Sequence, residues 1–439
     1  MINTSRIQKI LWILPVIYLI FRVKNVFLVT PFFDDYDSPA YFKFELFPSF
    51  RTHGITIIYS LIRDQFQITL FQAFIGSLSW IFLWKQLINS IENFLVKTLS
   101  SILFFSLGAS TVIVEHDSAL LSESLSISSM VILVGAAIKF LRKTNKLNLI
   151  LLGLAMVFFF STKATNSLIA PLIIIPIIIL KNKEYSKIFK LSFNSVLIIS
   201  AIFFFLNVNS SKVTESLTTS GTINNRLTIK DEWKKDLLES GYPARAFQIF
   251  KNYNAKNLGK PADQAVVDLP EFKQWWQKSG QSYLIEFTIS NPIYAFIGPV
   301  ALPLIDDKFS YRQTLLSGWS QGTHLSLDFK GFSKSKFNRT VFWPDAPEKA
   351  YLALGLFFLI IGISLIYLTI YDLKLIPDFA IICIFYIFIW SYLNWWFGSK
   401  PSDMNRHNLL AGVMIRILVI VLATRVFDVI LKVRKIVLK

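Results

Sequence analysis

The chain has almost no cysteine, little histidine and few acids. Cys383 is the single cysteine among 439 residues and sits inside an apolar run, which excludes a disulfide framework and a cysteine-based metal site. The four histidines, His53, His116, His324 and His407, show no metal-ligand spacing. No Gly-Lys-Ser/Thr phosphate loop, dinucleotide-binding glycine fingerprint or zinc-protease helix signature is present, so the usual nucleotide and metalloprotease chemistries have no carrier. Charged residues make up only 17% and cluster between long apolar runs. That pattern excludes a soluble globular enzyme, a disordered chain and a fibrous protein.

What is abundant is apolar surface. Hydrophobic residues make up 53% of the chain, and the mean hydropathy is +0.51. Repeated apolar stretches of roughly 18 or more residues read as transmembrane helices. The expected fold is therefore an all-α polytopic membrane protein embedded in a lipid bilayer. About ten spans are expected, over residues 9–29, 66–88, 94–114, 119–140, 147–161, 165–181, 190–208, 350–371, 376–396 and 408–431. The first run is followed by Arg22 and Lys24 rather than a small-residue cleavage site, so it reads as a span and not as a cleavable signal. Those two cations are expected to snorkel at its outer end.

The formal charge of +17 has its explanation in the loops. With the N-terminus cytoplasmic, the inner segments hold about 18 Lys and Arg and the short outer loops about 6. The sequence therefore predicts a multi-pass protein of the plasma or inner membrane with both termini cytoplasmic. No nucleic-acid-binding signature competes with that reading, and no nucleic-acid partner is expected. Three units follow: an N-terminal membrane core (1–208), a mixed outer-face domain (209–348) and C-terminal membrane helices (349–439). Residues 283–304 are apolar but broken by Asn291-Pro292, Pro299 and Pro303, and read as interfacial or re-entrant.

Polar groups that a membrane should not tolerate gather on one side. The first outer loop carries Asp34, Asp35 and Asp37 amid aromatic residues, a setting that raises a carboxyl pKa and suits a base. A solvated acidic loop is the plainer alternative. Arg51 and His53 follow in the same loop, and Glu115, His116 and Asp117 lie after the third span. Glu123 begins the next span, where an acid is costly unless paired; it reads either as functional or as a helix-to-helix hydrogen bond. Lys163, between two apolar spans, reads as an interfacial snorkel or an anion ligand. Arg406 and His407 precede the last span, and Arg406 offers a bidentate donor for phosphate. Arg416, ten residues deeper, needs a partner.

Five short motifs carry a resemblance, the first four in the N-terminal half. They are Asp37-Ser38-Pro39-Ala40-Tyr41, with an acid four residues before a Tyr, then Arg51-Thr52-His53-Gly54, then Ser122-Glu123, and then Thr162-Lys163 ahead of Pro171. Asp403 with Arg406-His407 completes the order near the end of the chain. In this order the chain resembles the GT-C-fold glycosyltransferases that use polyprenyl-phosphate sugars, the superfamily of protein O-mannosyltransferases and lipid A aminoarabinose transferases. The likeness covers about residues 10–210 and 350–430; Gly54 and His407 depart from the family's usual Pro-containing and Tyr positions.

The resemblance implies an inverting glycosyltransferase with ten or so helices of GT-C type. A first-loop acid would act as base: Asp37 by its spacing, with Asp34 and Asp35 as alternatives. Tyr41, Arg51, Asp117, Glu123, Lys163, Arg406 and His407 would bind substrates. The partners implied are a polyprenyl-phosphate sugar donor and an envelope acceptor, whether glycan, lipid or protein. No cofactor is required by the sequence, and a possible divalent metal stays open. Two other readings stand beside it: a lipid-linked polysaccharide polymerase or ligase, and a transporter or flippase of lipid-linked glycans.

Overall fold

The structure is a computed structural model. It describes residues 11–33, 38–43, 52–143, 145–163, 220–228, 230–251, 262–297, 342–343, 347–370 and 409–437, together with Asn166, Ile198, Cys383, Tyr386, Ile387 and Ile389. The described residues are mostly helical, and their only strand-like pairing is a single parallel bridge between Phe32 and Ala119. The spans expected over 165–181, 190–208 and 376–396 lie outside them, save for Asn166, Ile198 and four residues between 383 and 389.

Eight helices matter for the site: α1 (Ile13–Leu28), α2 (His53–Ile62), α3 (Gln65–Ile88), α4 (Phe94–Gly108), α5 (Glu123–Arg142), α6 (Lys146–Thr162), α7 (Pro347–Ile370) and α8 (Leu409–Val437). Three segments are long and apolar enough to cross a membrane: Gln65–Ile88, Glu123–Arg142 and Leu409–Lys432. A fourth crossing is available if Phe94–Gly108 and Val112–Ser118, bent by 50°, count as one. Side chains start several helices where the chain must turn. Asp64 accepts from Gln67 N at 2.8 Å, Asn93 from Leu95 N and Val96 N, and Asn145 from Asn148 N. Each satisfies amides that a helix N-terminus leaves unpaired.

α3 is the central element, packing on α5 along one side and on α1 along another. The buried apolar core joins Trp80 and Trp84 of α3, Phe104 and Phe105 of α4, and the inner faces of α5, α6 and α8. A second cluster gathers Tyr41, Ile55, Tyr59 and Ile68 around Ala119–Leu121. The described residues of 220–297 share an apolar cluster of their own, built on Trp233, Tyr242, Phe272 and Trp275. Within it Tyr242 OH accepts from Asn224 Nδ2 at 2.5 Å, and burial pushes the phenol above its usual range. Arg226 is buried there too, and loss of hydration pushes its guanidinium pKa down.

The membrane bundle has two chemically different ends. At one end Lys85 sits 5.7 Å over the Trp12 ring, Arg142 donates to Gln86 O, and Lys432 pairs with Glu92 at 2.8 Å. There Asp428 of α8 accepts from the backbone amides of Glu92 and Asn93, just ahead of α4. Arg425 donates to Ser90 O and to Asp428. The carboxylate thus sits at a helix N-terminus, where the backbone dipole favours it. The opposite end holds the candidate site.

Candidate functional site

The site is organised around the segment 115–121, which follows α4 and a short helical turn over Thr111–Val114, forms a 3₁₀ turn over Glu115–Ser118, and then passes through an extended Ala119 and a bend towards α5. A buried run that is not helical must find partners for its backbone groups inside the protein. They come from four elements. Gln72 of α3 donates its amide to Asp117 O at 3.3 Å and Ala119 O at 3.0 Å. Tyr59 of α2 donates to Leu121 O at 2.9 Å and lies within 3.3 Å of Gln72 Oε1. Phe32 N donates to Ser118 O at 2.7 Å, and Leu120 N donates back to Phe32 O at 3.0 Å. Ser38 Oγ donates to Leu120 O at 3.0 Å.

Beneath this segment lies a buried ion pair. Arg22 of α1 grips Asp117 with two parallel bonds, Nε to Oδ2 at 2.5 Å and Nη2 to Oδ1 at 2.8 Å. Both side chains are at most 1% exposed. Ser124 Oγ donates to the same Oδ1 at 2.7 Å. Arg22 Nη1 donates to Tyr18 OH at 2.8 Å, and Tyr18 OH donates to Gly108 O at 3.2 Å. Two glycines make room: a Cβ on Gly76 would overlap the Arg22 guanidinium, and one on Gly108 would meet Tyr18 OH at 2.8 Å. So Arg22 does not snorkel; it is drawn inward because Asp117, 95 residues away, also has no water. Asp117 in turn has both oxygens engaged inside the protein and holds the 115–121 segment in place.

One turn further, Glu123 opens α5 and pairs with Lys163 at the end of α6, Oε1 to Nζ at 3.3 Å. The Glu123 side chain is 3% exposed and that of Lys163 14%. Glu123 thus has the partner its position demanded. Lys163 is the more exposed end of the pair. Tyr41, 2% exposed, packs its ring 5.9 Å from Tyr59. His53 starts α2 and is nearly buried, and Gly54 beside it lets α2 approach α6 so closely that a Cβ would meet Ser161 at 2.5 Å.

No protein-family model matches the chain, and no curated protein matches it in sequence. The functional reading therefore rests on the site's own residues. Of the residues expected there, Tyr41, Asp117, Glu123 and Lys163 come together at one end of the bundle. Asp34, Asp35, Asp37, Arg51, Arg406 and His407 lie outside the described residues. Among the described residues, no three His, Cys, Asp or Glu side chains converge as a metal site.

Tyr18, Gln72, Tyr59 and Ser124 are site residues that the sequence reading did not single out. The signal they carried was polarity inside apolar helices: each is a hydrogen-bonding side chain that, once buried, must be satisfied internally.

Arg416, the deep cation of α8, also has its partners. Nε donates to Phe342 O at 2.6 Å, Nη1 donates to Gly412 O, and the guanidinium lies 3.6 Å over the Trp343 ring. Trp343 is itself fixed by a bond to Ser110 Oγ at 3.0 Å.

Proposed function

We propose that this chain is an integral-membrane, inverting glycosyltransferase. It would move a sugar from a polyprenyl-phosphate donor to an acceptor of the cell envelope, on the outer face of the membrane. The observation that carries the reading is the anchoring of the acidic loop. Phe32 and Ser38, which flank the stretch holding Asp34, Asp35 and Asp37, are both hydrogen-bonded to the 118–120 segment. That segment leads within three residues into Glu123 and its partner Lys163. The two described flanks of the acidic stretch and the Glu123–Lys163 pair thereby meet one short stretch of backbone at one end of a membrane bundle. The other end, with Lys85, Arg142, Arg425 and Lys432, has the basic character of a cytoplasmic face.

In this proposal Asp37 takes the proton of the acceptor hydroxyl. The oxygen attacks the anomeric carbon from the side opposite the phosphate. The bond from that carbon to the phosphate oxygen breaks, and polyprenyl phosphate leaves carrying the negative charge. Lys163 and Arg406 stabilise that charge as it develops. Tyr41, Arg51 and His407 shape the acceptor side. Asp117 and Arg22 act at a distance from the reacting atoms, by holding the segment to which the loop is tied.

Two measurements test the reading. Lipid and envelope-glycan analysis of cells with and without the gene should show one sugar missing from one envelope component, together with accumulation of its lipid-linked donor. An unchanged envelope and donor pool would overturn the proposal. The second separates structure from chemistry at the Glu123–Lys163 pair. Lys163→Met removes an ammonium from a buried carboxylate and should cost about 1.5–3 kcal/mol of stability, with loss of transfer. Lys163→Met combined with Glu123→Gln should regain most of that stability while transfer stays impaired. Recovery of both together would assign Lys163 a purely structural part.

A further inference from the structure

A cavity of about 390 Å³ lies between α4, α7 and α8, away from the site described above. Its wall is apolar, with Val96, Leu99 and Leu103 from α4, Ile360 from α7, and Val419 and Ala423 from α8. The polar side chains that line it bond to backbone carbonyls. Ser100 Oγ donates to Val96 O, Thr424 Oγ1 to Ile420 O, and Arg416 to the carbonyls of Phe342 and Gly412. Such a chamber favours an apolar occupant over water. It also opens sideways, because Leu99 and Phe427 on its rim are each 46% exposed. On helices of this hydropathy an exposed apolar rim faces lipid.

The dimensions select the occupant. Arg416 and Phe427 mark its extent along α8, eleven residues or roughly 16 Å. One leaflet of a bilayer has about 15 Å of hydrocarbon. A 150 Å³ cavity accommodates a six-carbon ring, so this one accommodates roughly fifteen carbons. An undecaprenyl tail is several times longer; a single fatty acyl chain fits.

The Phe427 end supplies the headgroup chemistry. Arg434 lies two helical turns beyond Phe427 on the same face of α8, about 10 Å further along the axis, and is exposed. The acids nearby are already engaged, Asp428 by the Glu92 and Asn93 amides and by Arg425, and Glu92 by Lys432. We propose that this cavity is a lipid site: it holds one acyl chain of an anionic glycerophospholipid from the leaflet at the Asp428 end, with the phosphate at Arg434. The site is separate from donor binding and stands whether or not the chain transfers sugars.

The test uses the full chain, purified in mild detergent, with co-purifying lipids extracted and quantified by mass spectrometry. The wild type should retain glycerophospholipid in near-stoichiometric amount. Ala423→Phe fills the chamber, and Leu99→Trp narrows its mouth at an exposed position that spares folding. Each should lower the retained phospholipid roughly tenfold, the effect of excluding a couple of methylene groups. In bilayer nanodiscs of phosphatidylcholine doped with phosphatidylglycerol, the wild type should enrich the anionic lipid. Arg434→Glu should keep an acyl chain bound but reduce that preference roughly fivefold. Wild-type lipid content in Leu99→Trp, or polyprenyl phosphate recovered in place of glycerophospholipid, would overturn the assignment. An unchanged headgroup preference in Arg434→Glu would overturn the role of Arg434.

Discussion

Arg22→Met lowers the stability of the protein by about 3–5 kcal/mol, more than any surface substitution can. The methionine fills much of the arginine stem, so packing is nearly conserved. What is lost is the counter-charge of a carboxylate with no access to water. Asp117 accepts two bonds from the guanidinium and one from Ser124. With Arg22 gone, one neutral hydroxyl remains against an anion whose hydration was given up on folding. An exposed pair is worth no more than about 1 kcal/mol, because water screens it and re-solvates the survivor; here burial decides the outcome. Replacing both partners, as Arg22→Met with Asp117→Leu, should recover much of the loss, because an apolar pair has no charge left to desolvate. Gly76→Ala strikes the same guanidinium from behind and should cost about 1–3 kcal/mol. Thermal unfolding of the detergent-solubilised variants measures all three. A loss under about 1 kcal/mol for Arg22→Met, the range of exposed pairs, or a double variant as damaged as the single, would mean that the pair is not buried as described.

Asp37→Asn is the change expected to separate chemistry from folding. Asparagine keeps the shape and the turn-forming tendency of aspartate but cannot take a proton. Transfer from a polyprenyl-phosphate sugar should fall by about 10²–10⁴ while the unfolding temperature and donor binding stay close to wild type. Asp34→Asn and Asp35→Asn are the necessary companions. If one of them is dead and Asp37→Asn turns over normally, the base sits two or three positions earlier in the loop. Wild-type rates in all three would remove the proposed mechanism.

The long apolar helices were legible in the sequence, and the reason is local. The span expected at 66–88 is the helix Gln65–Ile88, and the one expected at 408–431 matches the helix Leu409–Val437 from its second residue on. Length, hydropathy and a cap such as Asp64 suffice to mark them. The run at 94–114 was less readable. Hydropathy sees it as unbroken, but the helix stops at Gly108, and the chain beyond bends by 50°. Its partners at that break are the Tyr18 hydroxyl on Gly108 O and the Trp343 indole on Ser110, 90 and 233 residues away in sequence. The span expected from 119 begins at Glu123 for the same reason: the backbone of residues 119–121 is bonded to Phe32, Ser38, Gln72 and Tyr59 and does not join the helix. Helix His53–Ile62 fell inside a segment read as outer loop because ten apolar residues are too few to cross a bilayer. The need for a partner at Glu123 could be argued from cost alone, and Lys163 supplies it. The identity of Arg22's partner could not. An insertion scale prices a buried arginine but does not say which distant acid it will meet.

The carboxylate of Asp428 has a consequence for how the molecule is made. It closes on the amides of Glu92 and Asn93, which leave the ribosome about 335 residues before it does. At a synthesis rate of roughly 5–20 residues per second, those amides wait some 20–70 seconds for their acceptor. Through that interval the side-chain cap of α4 is the Asn93 amide oxygen. The order of synthesis thus makes α8 the last latch of the helices that precede it. A nascent chain stalled before residue 428 should expose the 89–93 turn to a membrane-embedded or soluble protease, and a completed one should protect it.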